Sequence, residues 1–193
     1  MALASPFIAI ALTIVTAGLI FALRGNSPLQ ALYVYFIEPL TAIWSVEQLL
    51  VKASPLILIG AGLAVAYRAN VWNIGAEGQL TAGANLPGAV PVFLPQWQSP
   101  LTLAAMMVLG IAGGMAWAAI PAFLRNRFSA NEILTSLMLV YVSQLLLDYL
   151  VRGPWRDPQG FNFPKSVTFA DWQLLPYVTS GIHAGVLVTF VVA

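Results

Sequence analysis

From Ala2 to Leu23 no side chain carries a charge. At about 1.5 Å per residue, such a run is long enough to take a helix across roughly 30 Å of hydrocarbon. Further apolar runs extend from about Gln48 to Tyr67, Gly78 to Pro95, Leu101 to Leu124 and Ile133 to Val151, and a last one begins near Leu174. With 60% hydrophobic and 8% charged residues, the chain lacks the polar side chains needed for a water-facing surface. The expected fold is therefore all-α: a polytopic transmembrane helical bundle of about six membrane segments, forming one domain over residues 1–193. The first run reads as a retained span, because "MALASP" has no basic residue and "FALRG" is a poor cleavage site for a leader peptide.

The runs differ in kind. Residues 31–48 mix Tyr and Trp with Glu38, Pro39 and Glu47, a composition suited to the headgroup level. The next span has Lys52 near one end, Pro55 as an expected kink, and "GAGLAVA", whose small residues predict burial among other helices. Gly78 to Pro95 is interrupted by Asn85, Pro87, Pro91 and Pro95, which predicts irregular backbone and an internal position, since lipid cannot satisfy freed amides and carbonyls. Gly110 and Gly114 form a GxxxG that indicates helix packing without requiring a dimer. Ser129 and Glu132 fit a capping box, predicting a helix start there. Residues 152–171 read as an extramembrane loop. Only ten residues follow His183, so the last run looks unfinished, as if the chain were the N-terminal part of a longer protein.

Several chemistries find no residues to support them. The net charge of +1 offers no field to attract nucleic acid, and the absence of cysteine removes thiolate nucleophiles and thiolate metal sites. One histidine makes an imidazole metal cluster an unpromising reading. No GxxxxGK[ST], GxSxG or HExxH occurs, so neither ATP hydrolysis nor another enzymatic activity is expected of this chain, and no cofactor is expected in it.

Polar residues at membrane depth remain, because burying them is costly and they tend to line pathways or pair. In "RANVWNIGAEGQL", residues 68–80, Asn73, Glu77 and Gln79 are candidates for a substrate path or gate, with glycines permitting a tight elbow; Asn85 joins them from the broken span. The plainer reading makes Glu77 an interfacial residue at a helix start, favoured by the helix dipole and paired with Arg68. Asn131 and Glu132 read first as helix-start residues beside the basic loop of Arg125 and Arg127; the other reading makes all four a partner contact at the cytoplasmic membrane face. Asp148 and Arg152 have the spacing of a surface ion pair, and His183 is open between an interfacial residue and a proton relay. Arginine placement alone argues against a cytoplasmic N-terminus.

Three stretches, "ASPLILIGAGLAVAYRANVWNIGAEGQLTAGA" (53–84), "RFSANEILTSLMLVYVSQLLLDYLV" (127–151) and "GPWRDPQGFNFPKS" (153–166), together resemble a known family. It is that of the membrane permease subunits of bacterial ABC importers, in the branch serving nucleosides and simple sugars. The resemblance covers the chain from about residue 25 onward, and it implies a cytoplasmic N-terminus with residues 67–79 and 125–132 on the cytoplasmic side. It further implies a multi-pass protein of the bacterial plasma membrane, surrounded by lipid and about twice this size. Its partners would be a second permease subunit, cytoplasmic ATP-binding subunits that hold ATP–Mg, and an extracytoplasmic substrate-binding lipoprotein. The family's later cytoplasmic loop, which docks on the ATPase, has no counterpart here. Two other readings fit the same composition: a proton-coupled secondary transporter relying on Glu77 or Asp148, and a membrane scaffold that moves nothing.

Overall fold

The computed structural model describes residues 4–161 and 163–193. Among them are eight α-helices: α1 (Ala4–Leu23), α2 (Pro28–Phe36), α3 (Glu38–Thr41), α4 (Ile43–Arg68), α5 (Ala76–Phe93), α6 (Pro100–Phe128), α7 (Glu132–Arg152) and α8 (Ala184–Val192). A 3₁₀ turn over Asp171–Gln173 interrupts the otherwise irregular segment between α7 and α8. Four of the helices, α1, α4, α6 and α7, are long and apolar enough to cross a membrane. The expected six is therefore a loose count, since α5 carries two prolines in 18 residues and α8 has only 9 residues.

Helix ends follow local chemistry. α1 stops where Gly25 takes a φ of 78°, so that the Asn26 N–H reaches the Phe21 carbonyl at 3.0 Å. Pro28 and Pro100 occupy first positions of α2 and α6, where a missing N–H has no helical partner to lose. α7 differs from its expected start. Asn131, and not Ser129, is the cap: its Oδ1 accepts from Ile133 N at 2.9 Å and Leu134 N at 3.3 Å. Ser129 instead closes α6 in the left-handed region, with φ 54°.

The chain divides into two compact units, one comprising the stretch ending at Ser54 with Tyr177–Val186, the other Pro55–Pro176 with Leu187–Ala193. In the second unit α5 is the helix on which both α6 and α7 pack. The approach is close because α5 presents glycine at each crossing. A Cβ on Gly78 would lie 2.9 Å from Val140 Cα, and one on Gly83 would lie 3.1 Å from the Gly110 carbonyl oxygen. Gly113 is equally tight against Ala82 and Gly83, so the glycine pattern of α6 serves packing within the chain. Gly88 receives the indole of Trp155, which folds back from the segment after α7.

Two expectations change here. The span from Gly78 is a continuous helix through Phe93, with Pro87 and Pro91 inside it, and not irregular backbone. Membrane helices tolerate such prolines when neighbours occupy the freed backbone positions; the Gly83 carbonyl, which has no N–H at Pro87 to accept, lies against Gly110. The small-residue stretch of α4 is not buried: Gly60 and Gly62 have no neighbour within 4 Å of a built Cβ.

The interior is more polar than the exterior. Thr102, Ser143 and Thr189 are the largest fully buried side chains, while Phe7, Leu12, Leu19, Leu101, Met115 and Leu145 stand exposed. Buried hydroxyls are satisfied locally, as where Ser143 donates to the Val140 carbonyl at 2.7 Å and Thr102 to the Trp97 carbonyl at 2.8 Å. In the first unit α1 packs on α2, with Pro28 Cβ 3.7 Å from a Cβ built on Gly18. There the buried Glu47 of α4 accepts a hydrogen bond from Thr179 Oγ1 at 2.8 Å.

Candidate functional site

The elbow between α4 and α5 begins with a left-handed residue. Asn70 has φ 56°, which lets Val71 N–H reach the Ala66 carbonyl at 3.0 Å and Asn70 N–H the Tyr67 carbonyl at 3.0 Å, closing α4. The chain then turns on Asn73. Its Oδ1 accepts from Gly75 N at 2.8 Å, and its Nδ2 donates to Gln79 Oε1 at 3.1 Å. Gly75 is required for a different reason than expected. Its φ is −93°, open to any residue, but a Cβ there would sit 2.8 Å from the Ser136 carbonyl oxygen on α7. Ser136, which sequence reasoning passed over, fastens the elbow: its hydroxyl accepts from Ile74 N at 3.2 Å and donates to the Ile133 carbonyl at 3.2 Å.

The α6–α7 turn meets the same elbow. Arg125 binds Glu132 at 3.0 Å and donates to the Asn70 carbonyl at 3.3 and 3.4 Å, so one guanidinium ties the elbow to both flanks of the turn. Between them lies a cavity of about 410 Å³, lined by Asn73, Gln79, Arg125, Asn126, Glu132 and Ser136, with Ala66, Ala118 and Pro121 among its apolar walls. Its lining offers carboxamides that donate and accept together with one ion pair.

Of the candidates from the sequence, the structure brings Asn73, Gln79, Arg125 and Glu132 into this one cavity. Asn131 stands beside it as the α7 cap, and Arg127 points its guanidinium over the Phe128 ring at 5.7 Å. Glu77 is elsewhere: its Oε1 accepts from Gln144 Nε2 on α7 at 2.8 Å, and not from Arg68. Asn85 lies further along α5, buried, with its Nδ2 lacking a hydrogen-bond partner. Asp148 and Arg152 form their exposed pair at 2.6 Å. His183 has a buried Nδ1 without a partner, in the other unit.

Apolar helices packed through glycine around a polar elbow, four of the helices long and apolar enough to cross a membrane, define a membrane-embedded helical bundle. The chain belongs to the family described as "Branched-chain amino acid transport system / permease component", which it matches over residues 45–193. It is a multi-pass membrane protein. It is 37% identical to the glucose ABC transporter permease protein TsgB13 of Haloferax volcanii over 97% of this chain and 52% of that protein. It is 27% identical to the guanosine ABC transporter permease protein NupP of Bacillus subtilis, covering 97% and 55% of the two chains. With the nucleoside ABC transporter permease protein NupB of Lactococcus lactis it shares 27% identity over 77% and 41%. The chain thus spans about half the length of the curated relatives it matches. No solved structure matches it.

Proposed function

We propose that this chain forms part of the transmembrane subunit of an ATP-driven importer in the plasma membrane, and that the cavity beside the elbow is the inner end of its solute path. The observation that carries this reading is the Asn73–Gln79 pair at the cavity wall, held by hydrogen bonds at the point where α4, α5 and the α6–α7 turn converge. A cavity of about 410 Å³ is in the size range that holds small ligands. Carboxamides that both donate and accept suit a neutral solute rich in hydroxyls or ring nitrogens, such as a nucleoside or a simple sugar. Relatives named for glucose, guanosine and nucleosides support that class. The elbow and the α6–α7 turn meet at one end of the unit, as two loops on the cytoplasmic side would. Free energy comes from ATP–Mg in cytoplasmic ATP-binding subunits, with a second permease subunit and an extracytoplasmic receptor completing the importer.

The test is uptake of radiolabelled guanosine and glucose by cells carrying the complete transporter. Gln79→Ala is expected to lower uptake about tenfold at unchanged membrane abundance, the scale on which a site suffers when it loses a specific hydrogen bond to its ligand. Uptake should vanish with the ATPase gene and survive an uncoupler. Uptake that survives loss of the ATPase and collapses with the uncoupler would instead establish a proton-coupled carrier.

A further inference from the structure

Glu77 and Gln144 form the one side-chain hydrogen bond between α5 and α7 among the described residues, and both are exposed. Their depth makes this unusual. Gln144 lies twelve residues into α7, so at about 1.5 Å per residue it is roughly 18 Å from one end of the helix and about 12 Å from the other. α7 is long and apolar enough to cross the membrane and Gln144 lies near its midpoint, so the Glu77 side chain reaches from the first turn of α5 away from the elbow and into the depth of that span. The neighbouring exposed side chains, Tyr141, Leu145 and Tyr149, extend the same part of α7. A carboxyl group facing lipid tails at that depth is costly, and ionisable residues within spans almost always face protein or water.

The local partners leave that cost standing. Gln144 supplies one donor to Glu77 Oε1, and no other described side chain donates to the carboxyl. Thr81, one turn along α5, spends its hydroxyl on the Glu77 backbone carbonyl at 3.0 Å. Glu77 is also not among the residues that line the elbow cavity. What is missing is a donor arriving from outside the described helices. The relatives extend to nearly twice the length matched here, so their permease contains further polypeptide comparable in size to this chain.

We infer that the exposed α5–α7 face centred on Glu77 and Gln144 receives a transmembrane helix from the half of the permease that the relatives carry beyond their match to this chain. That helix presents a hydrogen-bond donor, from Ser, Thr, Asn, Gln, His, Lys or Arg, to the Glu77 carboxyl at mid-membrane depth. The same contact removes Gln144 from lipid and covers Tyr141. Polar pairing of this kind fixes helix register in a membrane, where apolar side chains gain nothing from burying against one another rather than against lipid.

The experiment replaces Tyr141 with the photoreactive residue p-benzoylphenylalanine in the complete permease, irradiates intact membranes and identifies crosslinked peptides by mass spectrometry. The expected adduct joins the α7 peptide to a peptide lying outside residues 1–193 and aligning with the relatives' other half. Adding Glu77→Leu should lower its yield about fivefold, the change in occupancy expected when one interhelical hydrogen bond is lost. Glu77→Gln keeps an acceptor oxygen and should preserve most of the yield. An adduct to α5, α6 or α7 of a second copy, to a different subunit or to lipid alone would overturn the assignment. The readout uses no transport, so it stands or falls separately from the solute path.

Discussion

α1 and α5 are helices of 20 and 18 residues that face their surroundings in opposite ways. α1 is almost uniformly apolar, and none of its residues is buried. α5 contains three glycines, two prolines and Asn85, and it buries Gly78, Ala82, Asn85, Gly88, Val90 and Pro91. In water the more apolar helix would be the core. In a membrane the hydrophobic drive between helices is absent, so a Leu or Ile is as well placed against lipid as against protein. Packing then favours helices whose backbones can touch and whose polar groups need partners. α5 satisfies both conditions, which is why α6 and α7 gather on it.

The most damaging way to challenge that contrast is to add volume to α5. Gly78→Leu would force a side chain into space where even a Cβ meets Val140 Cα at 2.9 Å and Ser143 Oγ at 3.1 Å. Backbone cannot give way as a flexible side chain can, so α5 and α7 must separate. The expected loss is at the upper end of the about 1–3 kcal/mol typical of overpacking, with most of the protein failing to run as a folded species in detergent chromatography. Ala11→Leu on the exposed surface of α1 adds similar volume and should leave that profile unchanged. Equal damage at the two positions would mean that the two helices do not differ as described.

The sequence made α1, α6 and α7 legible as spans, because an uninterrupted apolar run admits few structures other than a helix. The packing role of Gly110 and the surface pairing of Asp148 with Arg152 were legible for the same local reason. Asn73 and Gln79 share a cavity because they flank one turn six residues long. Glu77 was grouped with them by proximity in sequence, yet it leaves that cavity for Gln144, 67 residues away. No local pattern encodes that pairing. Asn131 was legible as a helix-start residue and is the cap of α7, whereas Ser129, which fits the capping formula, ends the preceding helix. Gly75 was assigned to a turn conformation, whereas the constraint is the approach of Ser136 from α7, a tertiary fact. Prolines in α5 suggested broken backbone because helix propensity is learned in water, where a neighbour rarely covers the gap.

A smaller effect is expected in the first unit, where packing depends on a polar staple. Glu47 is 9% exposed and is held by Thr179, while Ser180 Oγ stands 3.5 Å from Oε2. Gly181 is in contact with the same carboxyl, so the methyl group of Gly181→Ala must displace it. Loss of the Thr179 hydrogen bond is expected to cost about 1–2 kcal/mol, seen as a lower thermal midpoint in detergent. Glu47→Gln retains an acceptor for Thr179 and should cost less. If Gly181→Ala melts like the parent, the staple contributes nothing, and the first unit is held by α1 and α2 alone.

The smallest effect lies outside the membrane, in the segment after α7. Asp157 accepts from the Gln159 backbone N–H at 2.9 Å, and that bond, followed by Lys165 at 3.3 Å, holds its carboxyl below the ordinary aspartate range. A carboxyl with a depressed pKa in the folded state contributes stability above its unfolded value, about 3.9, and loses that contribution as the pH falls through the folded value. The segment should therefore hold its conformation unchanged from pH 8 to pH 5 and loosen only below about pH 4. Hydrogen exchange at Gly160, whose N–H donates to the Asp157 carbonyl at 3.1 Å, is the local probe. Intrinsic exchange rates must be divided out at each pH. Asp157→Asn should bring the acid-like protection to neutral pH while exchange within α6 stays as before. A pH response that begins near 6 would remove Asp157 from the explanation.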